Sequence, residues 1–355
     1  MSRLSRRGLL TLAAAAALPA ACSRPEPAAG PVPATSPAGP SVPPATSAAP
    51  RATVGPAATA VAPKPSATKT GQAPPVSRGG GPVPARAGRV KLGAYLSLSG
   101  RSLTQSLALR RGQLGREESI VHMFWGWNEH FERPPIGKST LMISWNGVRL
   151  SEVTGGGSDK LIAAAAKRLA GWSKPTLLRW GWEMNGNWFD WDGSHNGKNP
   201  AAYVKAWQRM HRIFADQGAD NVAWVWSPNW NSGPSTAWNA MQNYYPGDAY
   251  VDWVGVSGYN FDGESPQTMF DPIVSRYGGR KPIMLSETAA IDHGGDSKAR
   301  WIGGLAAYLK KTPQVNAVVW FDTDTHTDRY DFRIDSSDSA LAAYRAMARD
   351  QHFTG

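Results

Sequence analysis

The fold class is decided by the stretch Pro175-Thr176-Leu177-Leu178-Arg179-Trp180-Gly181-Trp182-Glu183, a short and nearly continuous apolar run that ends in a charged residue. Parallel strands that are buried on both faces have such runs, whereas half-exposed strands alternate between apolar and polar residues. Runs of the same kind recur along the chain, so we expect a parallel sheet. The eight predicted strands cover 90–97, 119–127, 139–145, 175–182, 221–227, 251–259, 282–287 and 315–322.

Helical patterns separate several of these runs. Asn199 and Pro200 form an N-cap and first-turn pair, and Gly218 stands where that helix should stop. Repeated alternation of strand and helix predicts an α/β fold, a (β/α)8 TIM barrel spanning 89–355. A doubly wound open sheet is the alternative, but no Gly-rich phosphate fingerprint follows the first strand. The predicted helices cover 158–172, 199–218, 297–311 and 337–350.

The residues before the predicted barrel have a different composition. Residues 23–88 are dominated by small residues and proline and cannot bury enough apolar surface to offset their ordering entropy, so we predict a disordered linker. Within 1–22, Ser5-Arg6-Arg7-Gly8-Leu9-Leu10 resembles a twin-arginine export signal, and Leu18-Pro19-Ala20-Ala21-Cys22 resembles a lipobox. The sequence therefore predicts export, to the cell surface if Cys22 is lipidated or to the medium if the signal is simply cleaved.

The basic charge of the chain lies mostly outside the predicted barrel. The net charge is +11, but residues 1–89 hold ten of the 38 Lys and Arg residues and one of the 27 acidic residues. The remainder has 28 basic and 26 acidic residues, so its near-neutral charge gives no support for nucleic-acid binding. Cys22 is the single cysteine, which excludes an intrachain disulfide and a cysteine-based metal or redox site in the barrel.

Two glutamates are the candidate catalytic residues. Glu183 follows the fourth predicted strand and Glu287 ends the seventh, and the carboxyl ends of barrel strands share one rim. A carboxyl pair ringed by aromatic side chains is the equipment for cleaving a glycosidic bond. We expect apolar surroundings and the second negative charge to raise the pKa of Glu183. Aromatic residues at or near strand ends are Trp127, Trp145, Trp182, Trp226, Tyr259 and Trp320.

The stretch Arg179–Trp191 resembles the acid/base segment of glycoside hydrolase family 26, through its Glu-Met-Asn-Gly block followed by two tryptophans. The family contains retaining (β/α)8 hydrolases with catalytic glutamates on strands 4 and 7. The resemblance implies cleavage of internal bonds in a β-linked polysaccharide, chiefly β-1,4-mannan, with mixed-linkage β-glucan or β-1,3-xylan as the substrate of some members. Similar segments continue at 226–229, 251–260, 286–288 and 332–335.

The resemblance also implies roles for single residues at the two acids. Glu183 would be the general acid/base and Glu287 the nucleophile. Tyr259 would donate a hydrogen bond to Glu287. Arg179 is a candidate for substrate binding and for holding Glu287 in its ionised form.

Four further residues are candidates for sugar binding. Trp188 and Trp320 would be aromatic walls around the cleaved sugar, and Asn185 is either a sugar contact or a loop anchor. Trp182 replaces the histidine that the family usually has before the acid/base. Its ring N–H can donate a hydrogen bond but can neither accept one nor titrate, so a bacterial exopolysaccharide is an alternative substrate.

We expect no cofactor and no metal ion. The residues Asp322, Asp324, His326 and Asp328 follow the last predicted strand, but their spacing fits no EF-hand loop, and we interpret them as a solvated rim loop. The expected partner is a polysaccharide, with no nucleic acid, and with a membrane only through a lipid on Cys22. We expect a monomer, and a non-catalytic carbohydrate-binding barrel is the alternative to an enzyme.

Overall fold

The fold is a closed barrel of eight parallel strands, in a computed structural model that describes residues 79–326 and 330–354. Each strand pairs with the next along the chain, and the last pairs with the first, so the predicted (β/α)8 fold is confirmed. Each predicted apolar run holds one strand. The strands are β1 Lys91–Ser97, β2 Ile120–Trp125, β3 Thr140–Trp145, β4 Thr176–Trp180, β5 Val222–Trp226, β6 Trp253–Asn260, β7 Ile283–Ala290 and β8 Val315–Thr323.

Helices surround the barrel, and the four predicted helices are present. Three more were not predicted: α1, the short α2, and α5, which contains Pro272 within its span. None of the helices among the described residues is long and apolar enough to cross a membrane. The helices are α1 Leu103–Leu114, α2 Leu150–Thr154, α3 Asp159–Gly171, α4 Pro200–Asp216, α5 Pro266–Tyr277, α6 Ser297–Lys311 and α7 Asp338–Arg349.

Helix α1 is attached to the barrel by a buried arginine rather than by an apolar stripe. Its inward residues include Ser106 and Arg110. Arg110 Nε lies 2.6 Å from Glu118 Oε1, and its Nη1 lies 2.9 Å from Asp322 Oδ2 at the end of β8. Because this helix has polar residues on its inward face, apolar periodicity could not reveal it.

The floor of the barrel is closed by residues that we had assigned to the linker. Val83 is buried among inward-facing side chains of the strands. The indole N–H of Trp253 donates to the carbonyl oxygens of Gly80 (3.2 Å) and Val83 (2.9 Å), and Asn316 Nδ2 donates to Arg86 O at 2.9 Å. The predicted boundary at residue 88 is therefore wrong, because the ordered domain includes residues 79–88. The signal segment 1–22 and the linker up to residue 78 lie outside the described residues and stay predictions.

We expect a chain that begins at residue 89 to be less stable than one that begins at residue 79. It would lose the burial of Val83, worth about 2 kcal/mol, and would leave the buried Trp253 N–H unpaired, at a cost of roughly 1–3 kcal/mol. Thermal unfolding of the two chains should show a Tm lower by about 6 °C or more for the shorter one. In the longer chain, Val83→Ser should lower Tm and Pro84→Ser, at an exposed position, should not. Equal Tm values for the two chains would show that the floor segment adds nothing.

Candidate active site

Glu183 is placed on the rim by a tight turn after β4. Gly181 and Glu183 both have left-handed backbone conformations, with φ of +50° and +55°. A non-glycine residue adopts this region at a cost, so the surrounding structure must enforce it. The Glu183 N–H donates to Ser227 O at 2.8 Å, just beyond β5. The turn thus ties the glutamate to the neighbouring strand and buries its side chain, which is 1% exposed.

Glu287 lies within β7, which continues to Ala290, three residues beyond the predicted end. The pairing of β6 with β7 shifts by one residue between Val256 and Ser257, so Ser257 stands opposite Glu287. This bulge lets two successive side chains of β7 face the interior. Ser286 Oγ lies 2.8 Å from Ser227 Oγ, and Glu287 Oε2 lies 2.6 Å from Arg179 Nη1.

Arg179 holds Glu287 from below and is not a substrate contact. Its side chain is completely buried. Besides the ion pair with Glu287, the guanidinium donates to three serine hydroxyls, those of Ser144, Ser227 and Ser257. The predicted role in substrate binding is therefore wrong, because no surface of Arg179 reaches the cleft, while the predicted contact with Glu287 is present. These three serines were not predicted from the sequence. Their hydroxyl groups accept hydrogen bonds from the remaining N–H groups of the buried guanidinium.

The second oxygen of Glu287 is held by Tyr259, as predicted. The Tyr259 O–H donates to Glu287 Oε1 from the neighbouring strand β6. Both oxygens of one carboxyl group thus accept hydrogen bonds, and one donor is a cation. Such an arrangement fixes the direction of the carboxyl group.

The surroundings of Glu183 favour its protonated form. Burial, and then the negative charge of Glu287, raise the pKa of Glu183 to about 7, although Arg179 partly opposes this. The two carboxyl groups therefore interact across the barrel mouth. Trp188 Nε1 donates to Glu183 Oε2 at 3.1 Å, which places this partly exposed ring beside the acid. The predicted rise in the pKa of Glu183 is present, and its cause is the predicted one.

The mouth of the barrel is lined by aromatic side chains, and three of them were not among the candidates predicted from the sequence. Tyr95 on β1 and Phe321 on β8 stack with centroids 5.0 Å apart. Phe124 on β2 contacts Tyr95 at 4.9 Å, and Phe321 also contacts Tyr259 at 5.7 Å. These side chains form a continuous aromatic wall next to Glu287. Within it, the partly exposed rings of Tyr95 and Phe124 give a surface suited to the apolar face of a sugar.

The predicted role of Trp320 as a sugar wall is wrong. Trp320 is fully buried on the outer face of β8, where it packs against Trp301 and Tyr344 of the helix layer. Its Nε1 donates to Phe332 O at 2.8 Å. Successive strand residues point to opposite faces, so the inward position belongs to Phe321. The inward Ala317 and Val319 would have indicated this register, had the alternation been applied to β8.

Trp182 and Asn185 support the site from behind. Trp182 is 3% exposed and packs against Phe124 (5.3 Å) and Trp191 (5.2 Å). Asn185 donates to Asn229 O at 2.9 Å and accepts from Asn229 N at 2.8 Å, with its side chain fully buried. Asn185 is thus the loop anchor of the two alternatives, and its predicted sugar contact is wrong. The ring of Trp182 has almost no surface left for a substrate.

Asp322 at the end of β8 and Asp324 just after it do not converge on one point. Asp322 accepts from Arg110 and from Ile334 N, whereas Asp324 accepts from Ser99 N and Arg333. Within 79–326 and 330–354, no group of three potential metal-binding side chains was found. Asp328 lies outside the described residues.

The fold is a closed (β/α)8 barrel, and two interacting glutamates lie at its carboxyl rim beside a wall of aromatic rings. These features are typical of glycoside hydrolases. Residues 157–301 match the model of glycosyl hydrolase family 26. The match includes residues 179–191 and confirms the resemblance to family 26 that was drawn from them.

Two relatives have names of polysaccharide-cleaving enzymes. The chain is 34% identical over 253 residues to endoglucanase H of Acetivibrio thermocellus, an alignment that covers 65% of this chain and 27% of that protein. It is 31% identical over 131 residues to mannan endo-1,4-beta-mannosidase A of Piromyces sp., covering 37% and 19%. The chain thus spans about a quarter or less of these relatives' length.

Solved structures show the same fold. A family 26 beta-mannanase from Bacteroides ovatus superposes with a TM-score of 0.57 at 17% identity, over 75% of this chain and 90% of that one. At such identity the likeness supports the barrel alone, so the activity has to be argued from the rim.

Proposed function

We propose that the chain is an exported, retaining glycoside hydrolase that cleaves internal β-linkages of a polysaccharide. The observation that carries this proposal is that two neighbouring carboxyl groups have different surroundings. Arg179 and Tyr259 hold both oxygens of Glu287, whereas burial and the charge of Glu287 raise the pKa of Glu183 to about 7. A glycosidase needs a carboxyl group that carries a proton and, close to it, a second carboxyl group held in a fixed direction.

The mechanism is a double displacement. Glu287 attacks the anomeric carbon while Glu183 transfers its proton to the departing glycosidic oxygen. Glu183, now ionised, then takes a proton from water, and that water hydrolyses the glycosyl–Glu287 ester. Retention requires the two carboxyl groups to stand about 5–5.5 Å apart with no room for a water between them and the sugar.

The first candidate substrate is β-1,4-mannan, which is the substrate named for several relatives. A second candidate, β-glucan, is favoured by a specific observation. The alignment with endoglucanase H extends over 253 residues, whereas the alignments with two mannosidases extend over 131 and 109.

A substrate panel tests the proposal. Mannan, lichenan, xylan and glucan are incubated with the wild-type chain and with Glu287→Ala, and new reducing ends are counted. We expect the wild type, and not the variant, to hydrolyse mannan or β-glucan. NMR of the first-formed product should show the β anomer. An α product would disprove retention. Binding without hydrolysis, and without labelling by a mechanism-based glycosyl inhibitor, would favour the non-catalytic carbohydrate-binding barrel.

We also propose export through residues 1–22, with a lipid on Cys22 as the surface anchor, and a monomeric chain whose partner is the polysaccharide. The resemblance of these residues to a twin-arginine signal and a lipobox supports this. Cell fractionation of the wild type and of Cys22→Ala tests it. Recovery of both in the membrane fraction, or of both in the medium, would argue against the anchor.

Removing the hydroxyl that holds Glu287 should slow the reaction without abolishing it. Tyr259→Phe deletes one hydrogen bond to a charged group, worth about 1.5–3 kcal/mol, so we expect kcat/KM to fall roughly 10- to 100-fold. The measurement is initial rates on the best polysaccharide of the panel. Tyr308→Phe is the matched control, because Tyr308 donates to Asp271 at 3.0 Å in the helix layer. Equal rates for Tyr259→Phe and the wild type would exclude a role for this hydroxyl.

A further inference from the structure

A buried aspartate lies nine residues after Glu183. Asp192 is 0% exposed, and one of its oxygens, Oδ2, accepts hydrogen bonds from the backbone N–H groups of Trp188 (2.7 Å) and Phe189 (2.8 Å). Its other oxygen, Oδ1, is buried and accepts no hydrogen bond. Burying a carboxyl group with one unpaired oxygen costs folding free energy, so its presence calls for an explanation.

One of the two residues whose backbone N–H groups Asp192 accepts from, Trp188, also contacts the acid Glu183. Trp188 carries the indole N–H that donates to Glu183 Oε2 at 3.1 Å. The ring is also confined, since a Cβ at Gly186 would lie 2.5 Å from it and one at Gly233 would lie 3.1 Å away. With the ring confined and the backbone held by Asp192, the indole N–H has one direction, which is toward Glu183.

We propose that Asp192 is a positioning residue for the general acid, acting through Trp188. The Asp192 acceptor fixes the Trp188 backbone, and Trp188 in turn fixes the proton-bearing carboxyl group against the bond to be cleaved. This inference rests on the proposed function of Glu183, and it adds a residue that touches neither the substrate nor the acid.

Asp192 acts through its acceptor oxygen rather than through its charge. Burial raises the pKa of Asp192 to about 8, although the Phe189 and Trp188 N–H groups oppose the rise. Near neutral pH the group is therefore largely protonated, and an amide oxygen can replace its carbonyl oxygen. The titratable and charged groups around it are Glu183, Asp190, Tyr203 and Tyr244, with the imidazole of His195 on Phe189 O.

The test compares four single variants, and the double variant that combines Asp192→Ala with Trp188→Phe, by two readouts. Asp192→Ala removes the acceptor, Asp192→Asn keeps it, and Trp188→Phe removes the indole N–H. Asp190→Asn is the matched control, since Asp190 lies in the same loop with its side chain 74% exposed. The first readout is the pKa of Glu183 from its carboxyl carbon by NMR, assigned by its loss in Glu183→Gln. The second is kcat and KM against pH.

We expect Asp192→Ala and Trp188→Phe to raise the pKa of Glu183 by about one unit, because its ionised form loses a donor. In Asp192→Ala, kcat should fall about tenfold with KM nearly unchanged. Asp192→Asn should stay within about threefold of the wild type, and Asp190→Asn should not differ from it. The double variant should titrate like Trp188→Phe alone, since both changes remove the same contact.

Three results would overturn the proposal. An unchanged pKa of Glu183 in Trp188→Phe would show that the indole does not act on the acid, even if Asp192→Ala fails to fold. Additive shifts in the double variant would show that Asp192 acts by another route. Equal losses in Asp192→Asn and Asp192→Ala would assign the effect to charge. The NMR readout needs no substrate, so a chain that hydrolyses nothing would refute the proposed function and leave this connection measurable.

Discussion

Replacing Glu287 by glycine is expected to lower the rate of polysaccharide hydrolysis by a factor on the order of 10⁴ or more. The substitution removes the carboxyl group that attacks the anomeric carbon, the one that Arg179 and Tyr259 hold in place. Azide added to the variant should restore turnover of an activated aryl β-glycoside by entering the vacated space. Its product should be the α-glycosyl azide, because the azide attacks from the side that Glu287 occupies in the wild type.

Stability has to be measured alongside the rate. Arg179 is completely buried, and removal of its anionic partner leaves an uncompensated charge that costs about 3–5 kcal/mol. Glu287→Gln keeps the shape but also removes the charge, so thermal unfolding of both variants has to be compared with that of the wild type before the rates are interpreted. Glu117→Gln is the control, at an exposed position after the end of α1. Hydrolysis by a folded Glu287→Gly at the wild-type rate, or a β-configured azide product, would refute the assignment of the nucleophile.

The barrel could be predicted because its strands are buried on both faces, which leaves continuous apolar runs in the sequence. Helix α1 could not, since Arg110 and Ser106 occupy its inward face and form contacts with residues remote in sequence. The floor segment was missed for a related reason. Val83 is a single aliphatic residue among proline and glycine. Its carbonyl oxygen accepts a hydrogen bond from the indole of Trp253, which is 170 residues away in the sequence.

The two acids were predictable because strand ends in a barrel converge on one rim. The environment of these acids was not. Arg179 sits four residues before Glu183, yet it contacts Glu287, since alternate strand residues face the interior and the bulge in β7 shifts the register there. The same alternation separates Phe321, in the mouth, from Trp320, in the helix layer. A one-residue bulge leaves no trace in composition, so contacts that depend on it need the coordinates.

Replacing Glu183 by glutamine is expected to lower kcat on polysaccharide roughly 10²- to 10⁴-fold, because the amide cannot protonate a poor leaving group. A substrate with a dinitrophenyl leaving group needs no proton, so its glycosylation step should be nearly unaffected. The pH profile carries the second half of this prediction. With the pKa of Glu183 raised to about 7, the proton needed for catalysis is lost above that pH, and kcat/KM should fall along a basic limb near pH 7.

The same pKa makes a prediction about stability, with its sign fixed by linkage. The native state binds the Glu183 proton more tightly than the unfolded chain, whose ordinary value is 4.5, so this contribution to stability is complete below pH 4.5 and is lost as pH rises toward 7. Glu183→Gln should flatten that dependence, by an amount on the order of 3 kcal/mol, in denaturant unfolding between pH 4.5 and 8. A basic limb that persists unchanged in Glu183→Gln would mean that another group donates the proton. Unfolding curves with the same pH dependence in both proteins would mean that Glu183 keeps an ordinary pKa in the native state.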